Sequence, residues 1–181
     1  MPVSPVKKEN YFLMYIDEIS KSNSNIMIKG TILRGNIKIN DEISIVGLDK
    51  KEVITKISKI KINNEETNVA NQGDIISLVL ESDMLEDYIT MGQAVIKTGT
   101  TKPVYNIEAR LNSISTDNIS ELESMVNTFR INTDVTGSVK VVSEENSEMK
   151  ITLDIPIVID EGIEFYLKDD NKVIAKGIVI N

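Results

Sequence analysis

The chain has 181 residues, a formal charge of −8, and neither cysteine nor histidine. Those two absences remove Cys/His zinc sites, thiol nucleophiles, imidazole bases, the triads built on them, and every disulfide. No run approaches the roughly 20 apolar residues of a membrane span, and Met1–Asn10 lacks the apolar core of a signal peptide, so a soluble cytoplasmic protein is the expectation.

Two small domains fit within this length, each able to bury its own core. Residues 1–100 hold 12 basic and 14 acidic groups, and residues 101–181 hold 8 and 14, so the second half carries most of the negative excess. Nucleic-acid affinity comes largely from Lys and Arg neutralising phosphates, and this balance argues against tight non-specific binding.

Apolar residues recur with period two in many short runs, the pattern of half-buried strands. Phe12, Met14 and Ile16 alternate first, followed by Ile26, Ile28 and Ile32, with Gly30 placed for a bend or a close backbone approach. Arg34-Gly35-Asn36 reads as a turn, Ile37 and Ile39 as a short strand, Asn40-Asp41 as a second turn, and Ile43 and Ile45 as that strand's partner. From Val53 to Ile62 the apolar positions change parity, because Val53, Thr55 and Ile57 are odd and Ser58, Ile60 and Ile62 even. A bulged strand produces that change, and the β-branched content favours it over a helix. Ile76, Leu78 and Leu80 form the next strand, and Ala94 to Ile96 closes the first unit.

Thr98 to Pro103 has linker composition, and alternation resumes at Tyr105, Ile107, Ala109 and Leu111. Ser120-Glu121-Leu122-Glu123 reads as a capping box opening a short helix over 120–126, while a loop running into a strand from Met125 to Ile131 fits the same residues. Further strands are expected at Val139–Val141, Met149–Ile155, Ile163–Leu167 and Val173–Val179, with Asp169-Asp170-Asn171 as a hairpin turn. Short strands at roughly ten-residue intervals mean a barrel or a sandwich.

Little in the chain points to chemistry. There is no G-x-x-x-x-G-K-[ST] run to cradle a phosphate, so nucleotide hydrolysis by these residues is not expected. The carboxylates Glu81, Asp83, Glu86 and Asp87 lack the loop pattern and central glycine of a calcium loop and read as a solvated acidic stretch. No catalytic residue, metal ligand or cofactor is assigned. Lys50, Lys51, Lys56, Lys59 and Lys61 make the one basic concentration, a possible contact for RNA or a partner. They have no interleaved aromatic, Asp49 and Glu52 interrupt them, and a solvated strand edge explains them as well.

Four stretches carry a resemblance that spans nearly the whole chain. Arg34-Gly35-Asn36-Ile37-Lys38-Ile39-Asn40-Asp41-Glu42-Ile43 and Met91-Gly92-Gln93-Ala94-Val95-Ile96-Lys97-Thr98-Gly99-Thr100 resemble the middle β-barrel of elongation factor Tu. Asn132-Thr133-Asp134-Val135-Thr136-Gly137-Ser138-Val139 and Pro156-Ile157-Val158-Ile159-Asp160-Glu161-Gly162-Ile163-Glu164-Phe165 resemble its C-terminal barrel, in the same order. The resemblance implies an all-β chain of two consecutive antiparallel β-barrels of the translation-factor type, a domain 2-like barrel at 9–99 and a domain 3-like barrel at 101–181. Arg34, Gly35, Gly92, Asp134, Thr136, Gly137, Pro156, Asp160, Gly162 and Phe165 are then the family's fold motifs, marking turns and strand cores rather than an activity. Asn40 stands where the family has glycine, and asparagine tolerates positive φ.

The family's nucleotide-binding domain, which precedes these barrels, has no counterpart in this sequence, and the segments that meet aminoacyl-tRNA in the family are altered. Ser22-Asn23-Ser24-Asn25 replaces a Gly-rich turn, Ile62 to Glu66 is acidic where basic and aromatic contacts are expected, and Ile75 stands in place of a pocket asparagine. Ser115 to Thr128, with no Lys, Arg or Gly, replaces a Gly-, Arg- and aromatic-rich loop. The expectation is a non-catalytic, cytoplasmic, translation-elongation-factor-like binding module that docks on a protein or ribonucleoprotein partner, with tRNA or ribosome binding weakened and no membrane association. The alternatives are the C-terminal part of a larger translational GTPase that binds GTP and aminoacyl-tRNA, and an RNA-binding accessory protein using the lysines at 50–61.

Overall fold

The computed structural model describes residues 11–22, 24–81 and 86–181. The chain divides into two compact units between Lys102 and Pro103. Each is a closed ring of six antiparallel strands, and among the described residues helix is limited to single turns. None of these is long and apolar enough to cross a membrane.

The first unit contains β1 (Leu13–Tyr15), β2 (Glu18–Ser22), β3 (Asn25–Arg34), β4 (Asn36–Lys38), β5 (Glu42–Val46), β6 (Val53–Ile62), β7 (Glu65–Thr67), β8 (Val69–Asn71), β9 (Ile75–Glu81) and β10 (Ala94–Lys97). Its ring runs β1-β10-β5-β6-β9-β3 and returns to β1, with β2 added beside β3 and β7 beside β6. Phe12, Met14, Ile28, Ile32, Ile43, Ile45, Ile57, Ile60, Ile76 and Leu78 fill the interior. The alternation expected at Phe12, Met14 and Ile16 holds for the inside of the ring. Leu13 and Tyr15 are buried as well, as are Ala94 and Ile96 on the neighbouring β10, so these two strands are covered on both faces and read as continuous apolar runs. Gly30 lies where a Cβ would strike the carbonyl of Tyr15 and the side chain of Met14, the close approach expected of it.

The bulge expected in β6 is present: Ile57 pairs with Leu80 and Lys59 with Val79, leaving Ser58 as the extra residue, and its hydroxyl donates to the Val79 carbonyl at 2.9 Å. One expected pairing is wrong. β4 does not pair with β5; it pairs with β8, Ile37 lying opposite Ala70, while β5 joins β6 and β10. The Asn40-Asp41 turn is tied to β6, since Asn40 N–H donates to Ile57 O and Ile57 N–H donates to Asp41 O, and this carries β5 away from β4. Asn40 has φ 67°, the left-handed conformation asparagine tolerates.

The second unit contains β11 (Val104–Ile114), α1 (Leu122–Met125), β12 (Thr128–Arg130), β13 (Asp134–Ser143), β14 (Glu148–Ile157), β15 (Glu164–Asp169) and β16 (Lys172–Val179). The strands close in the order β11-β14-β13-β12-β15-β16, with β16 pairing back to β11. Phe129 and Phe165 stack inside at 5.0 Å between ring centroids, among Ile107, Ala109, Val135, Ile151 and Leu167. Both readings of 120–131 are partly realised: a 3-10 turn at Ile119–Glu121 and a helical turn at Leu122–Met125 lead into strand β12. The cap differs from the expectation, because Asn118 accepts from Ser120 N–H, and Glu123 turns away to accept from Val141 N–H on β13 at 2.7 Å.

Candidate functional site

Among the described residues, no motif residue lines either of two open cavities on the second barrel. All but Phe165 are tied to a turn or a strand junction. Gly35, Gly92 and Gly162 have φ of 74°, 92° and 80°, and the amides of Gly92 and Gly162 tie their turns to distant segments by donating to Ile16 O and Val179 O. Arg34 ends β3 and its guanidinium donates to Leu33 O. Asp160 begins the turn in which Ile163 N–H returns to its carbonyl. Pro156 sits where the β11–β14 ladder is interrupted between Thr152 and Ile157, a place that needs no N–H. Phe165 is wholly buried.

Asp134, Thr136 and Gly137 lock β13 to its neighbours. The Thr136 hydroxyl donates to Asp154 on β14. Gly137 lies against β14 so closely that a Cβ would come within 2.5 Å of the Thr152 carbonyl. Asp134 holds two cations, Lys168 Nζ at 2.6 Å and Arg130 Nη1 at 3.5 Å. The Lys168 side chain is only 6% exposed, so Asp134 supplies the counter-charge for a nearly buried ammonium.

The lysines fall into two groups. Lys50 and Lys51 are exposed in the β5–β6 turn. Lys56, Lys59 and Lys61 come from opposite parities, and the Ser58 bulge brings them to one outer face of β6. That strand is not an edge, as the strand-edge reading required. It is paired on both sides, with β5 and β7 on one and β9 on the other. The lysines also face carboxylates: Lys56 lies opposite Glu42, Lys61 lies opposite Glu66, and Lys59 binds Glu66 at 2.7 Å. The hydrogen bond from Lys59 first, then its charge and that of Lys61, hold the Glu66 carboxyl below the usual glutamate range. The Asn63-Asn64 turn beneath them has both φ values positive, as a two-residue hairpin turn requires. Ile75, expected at the altered pocket, is 58% exposed and lies opposite Thr31.

No protein-family model matches the chain.

An open cavity of about 350 Å³ on the second barrel is lined by Asn106, Glu108, Lys150, Thr152 and Asn181. Its polar groups serve one another: Thr152 donates to Asn106, Asn181 donates to Glu108, and Lys150 lies 3.8 Å from Glu108. No group of three metal-ligating side chains occurs among the described residues. Of the acidic stretch at 81–87, the side chains of Glu81 and Glu86 and the whole of Asp83 lie outside the described residues.

Sequence reasoning missed a second constellation. Arg130 pairs in register with Tyr166, and Tyr166 with Lys176, whose Nζ lies 5.9 Å from the ring centroid. Its members are 36 and 10 residues apart in sequence, so no local pattern announced it.

Proposed function

We propose that this chain is a non-catalytic, translation-elongation-factor-like binding module that works in the cytoplasm and docks on a protein or ribonucleoprotein partner. The observation that carries the reading is the employment of the motif residues. Gly35, Gly92, Asp134, Thr136, Gly137, Pro156, Gly162 and Phe165 all serve turns, strand junctions or the core, as fold motifs carried over from such a factor would. The interior of each ring is filled with apolar side chains, which leaves recognition to the outer walls and loops.

A protein surface suits those walls better than RNA does. Lys59 and Lys61 share Glu66, Lys56 lies opposite Glu42, and the chain as a whole is acidic, which weakens the pull of this strand on a phosphate backbone. The altered segments at 22–25, 62–66, 75 and 115–128 support the same choice over a working aminoacyl-tRNA carrier. The C-terminal part of a larger translational GTPase is the second reading, favoured by motif stretches in the same order as the factor's, and an in-frame P-loop coded upstream of Met1 would establish it.

The test is chemical cross-linking of the tagged chain in its own cells, followed by purification with and without ribonuclease. A stoichiometric protein partner that survives ribonuclease supports docking on protein. Recovery of RNA alone, lost after charge reversal at Lys56, Lys59 and Lys61, overturns it in favour of the RNA-binding accessory protein.

A further inference from the structure

We infer that the outer wall of the second barrel around Tyr166 is a docking face for a protein segment that presents an apolar side chain between carboxylates. This rests on the binding-module reading and adds where the module binds and what chemistry it recognises. The register of three strands sets Arg130, Tyr166 and Lys176 in one line across β12, β15 and β16, a span of about 10 Å at ordinary strand spacing. One row along, Ile178 on β16 lies beside Arg110 on β11 and diagonal to Tyr166. A half-exposed tyrosine and an isoleucine thus form the centre, with two guanidiniums and an ammonium around them.

Composition sets this wall apart. The chain contains three arginines, and two of them stand here, although residues 101–181 are the more acidic part. Exposed tyrosine and arginine are the residues most enriched where proteins bind one another, and they supply most of the energy there. Among the described residues neither guanidinium is saturated: Arg110 uses one nitrogen on Glu148 at 2.6 Å and Arg130 one on Asp134 at 3.5 Å, of five N–H groups each. Their side chains are 51% and 47% exposed. The spare donors point to an incoming carboxylate, with the forked geometry that guanidinium and carboxylate share.

The same wall disfavours a nucleic acid. Asp134, Glu148 and Glu164 sit among the cations, and a continuous phosphate backbone would meet them at every turn of its path. A protein segment of mixed charge places carboxylates against Arg110 and Arg130 and keeps clear of the acids.

The experiment uses the full chain, isotope-labelled, titrated with three synthetic 15-residue peptides and with a uridine 15-mer while backbone amide resonances are followed. One peptide has a central Leu-Phe flanked by Asp and Glu, the second replaces those acids by Lys, and the third keeps the acids and replaces Leu-Phe by Ala-Ala. The expected result is saturable shifts at 110, 130, 164–166 and 176–178 with the first peptide alone, weakened about tenfold or more by Arg130→Ala or Arg110→Ala. Both positions face solvent, and an unchanged melting curve shows that the variants fold. Binding by the Lys peptide or the Ala-Ala peptide at equal strength, stronger binding of the uridine 15-mer, shifts elsewhere, or no saturable shift overturns the proposal. A ribonuclease-resistant partner whose capture ignores Arg110→Glu and Arg130→Glu overturns this face while leaving the module reading standing, whereas loss of every protein partner overturns the module reading itself.

Discussion

Replacing Asp134 by alanine removes the counter-charge of Lys168, whose side chain is 6% exposed and lies 2.6 Å from the carboxylate. Hydrogen bonds to charged groups contribute roughly 1.5–3 kcal/mol, and breaking a fully buried pair costs roughly 3–5 kcal/mol because the remaining charge is stranded. The Asp134 side chain is 41% exposed, so water screens part of the pair and the expected loss is about 2 kcal/mol. The bond to Arg130 adds little, since at 3.5 Å it is long and exposed. For a barrel of this size melting on its own, that loss lowers Tm by roughly 8–16 °C. Urea unfolding followed by circular dichroism measures it, with Lys168→Met as the second arm of a double-mutant cycle. Methionine keeps the aliphatic length and removes the buried ammonium, so Asp134→Ala should cost less than about 0.5 kcal/mol in that background. An equal cost in both backgrounds would refute the counter-charge role and leave Asp134 as a turn residue only.

Gly137→Ala places a methyl group 2.5 Å from the Thr152 carbonyl, a backbone atom held in the β13–β14 ladder, and should destabilise the second barrel by about 1–3 kcal/mol in the same urea assay. A stable Gly137→Ala protein would show that the two strands are less tightly apposed. Glu66 should titrate below the ordinary glutamate range by carbon-detected NMR, and Lys59→Ala should raise its midpoint. Because the folded value is depressed, its stabilisation is present above the unfolded carboxylate pKa and fades as pH falls through the folded one; an unmoved midpoint in Lys59→Ala would show that Lys59 is not the cause. Glu123→Ala should speed hydrogen exchange at the Val141 amide and cost about 1 kcal/mol, while buried Leu122 keeps the 118–126 segment in place. Unchanged protection at Val141 would mean that the 2.7 Å bond does not persist in solution.

Local chemistry made most of the fold legible. Period-two alternation located the longer strands but not the short β2, β7 and β8, and the parity change between Ile57 and Ser58 located the bulge, because one extra residue must reverse every side chain beyond it. Asn40 and the Asp170 hairpin were legible for the same reason, since few residue types accept the left-handed backbone found there. Strand partners were less legible. Ile37 and Ile43 are close enough in sequence to suggest a hairpin, yet β4 finds β8 more than 30 residues on, and nothing local distinguishes the two pairings. The capping box at Ser120 was misread because Asn118 fits the cap equally well and Glu123 had a distant amide to satisfy. The same limit hid the Tyr166 wall: Arg110, Arg130 and Lys176 meet only because β12 neighbours β15 and β16 closes on β11. For the lysines, charge was legible and neutralisation was not, since Glu66 reaches Lys59 across a hairpin and Glu42 reaches Lys56 from another strand.

Equilibrium titration of the whole chain against aminoacylated and deacylated tRNA, at low and near-physiological salt, tests the choice of protein over RNA most directly. No preference for the aminoacylated form is expected, and binding should disappear as salt rises. Tight binding at near-physiological salt that favours aminoacylated tRNA would contradict it and make this chain a tRNA carrier.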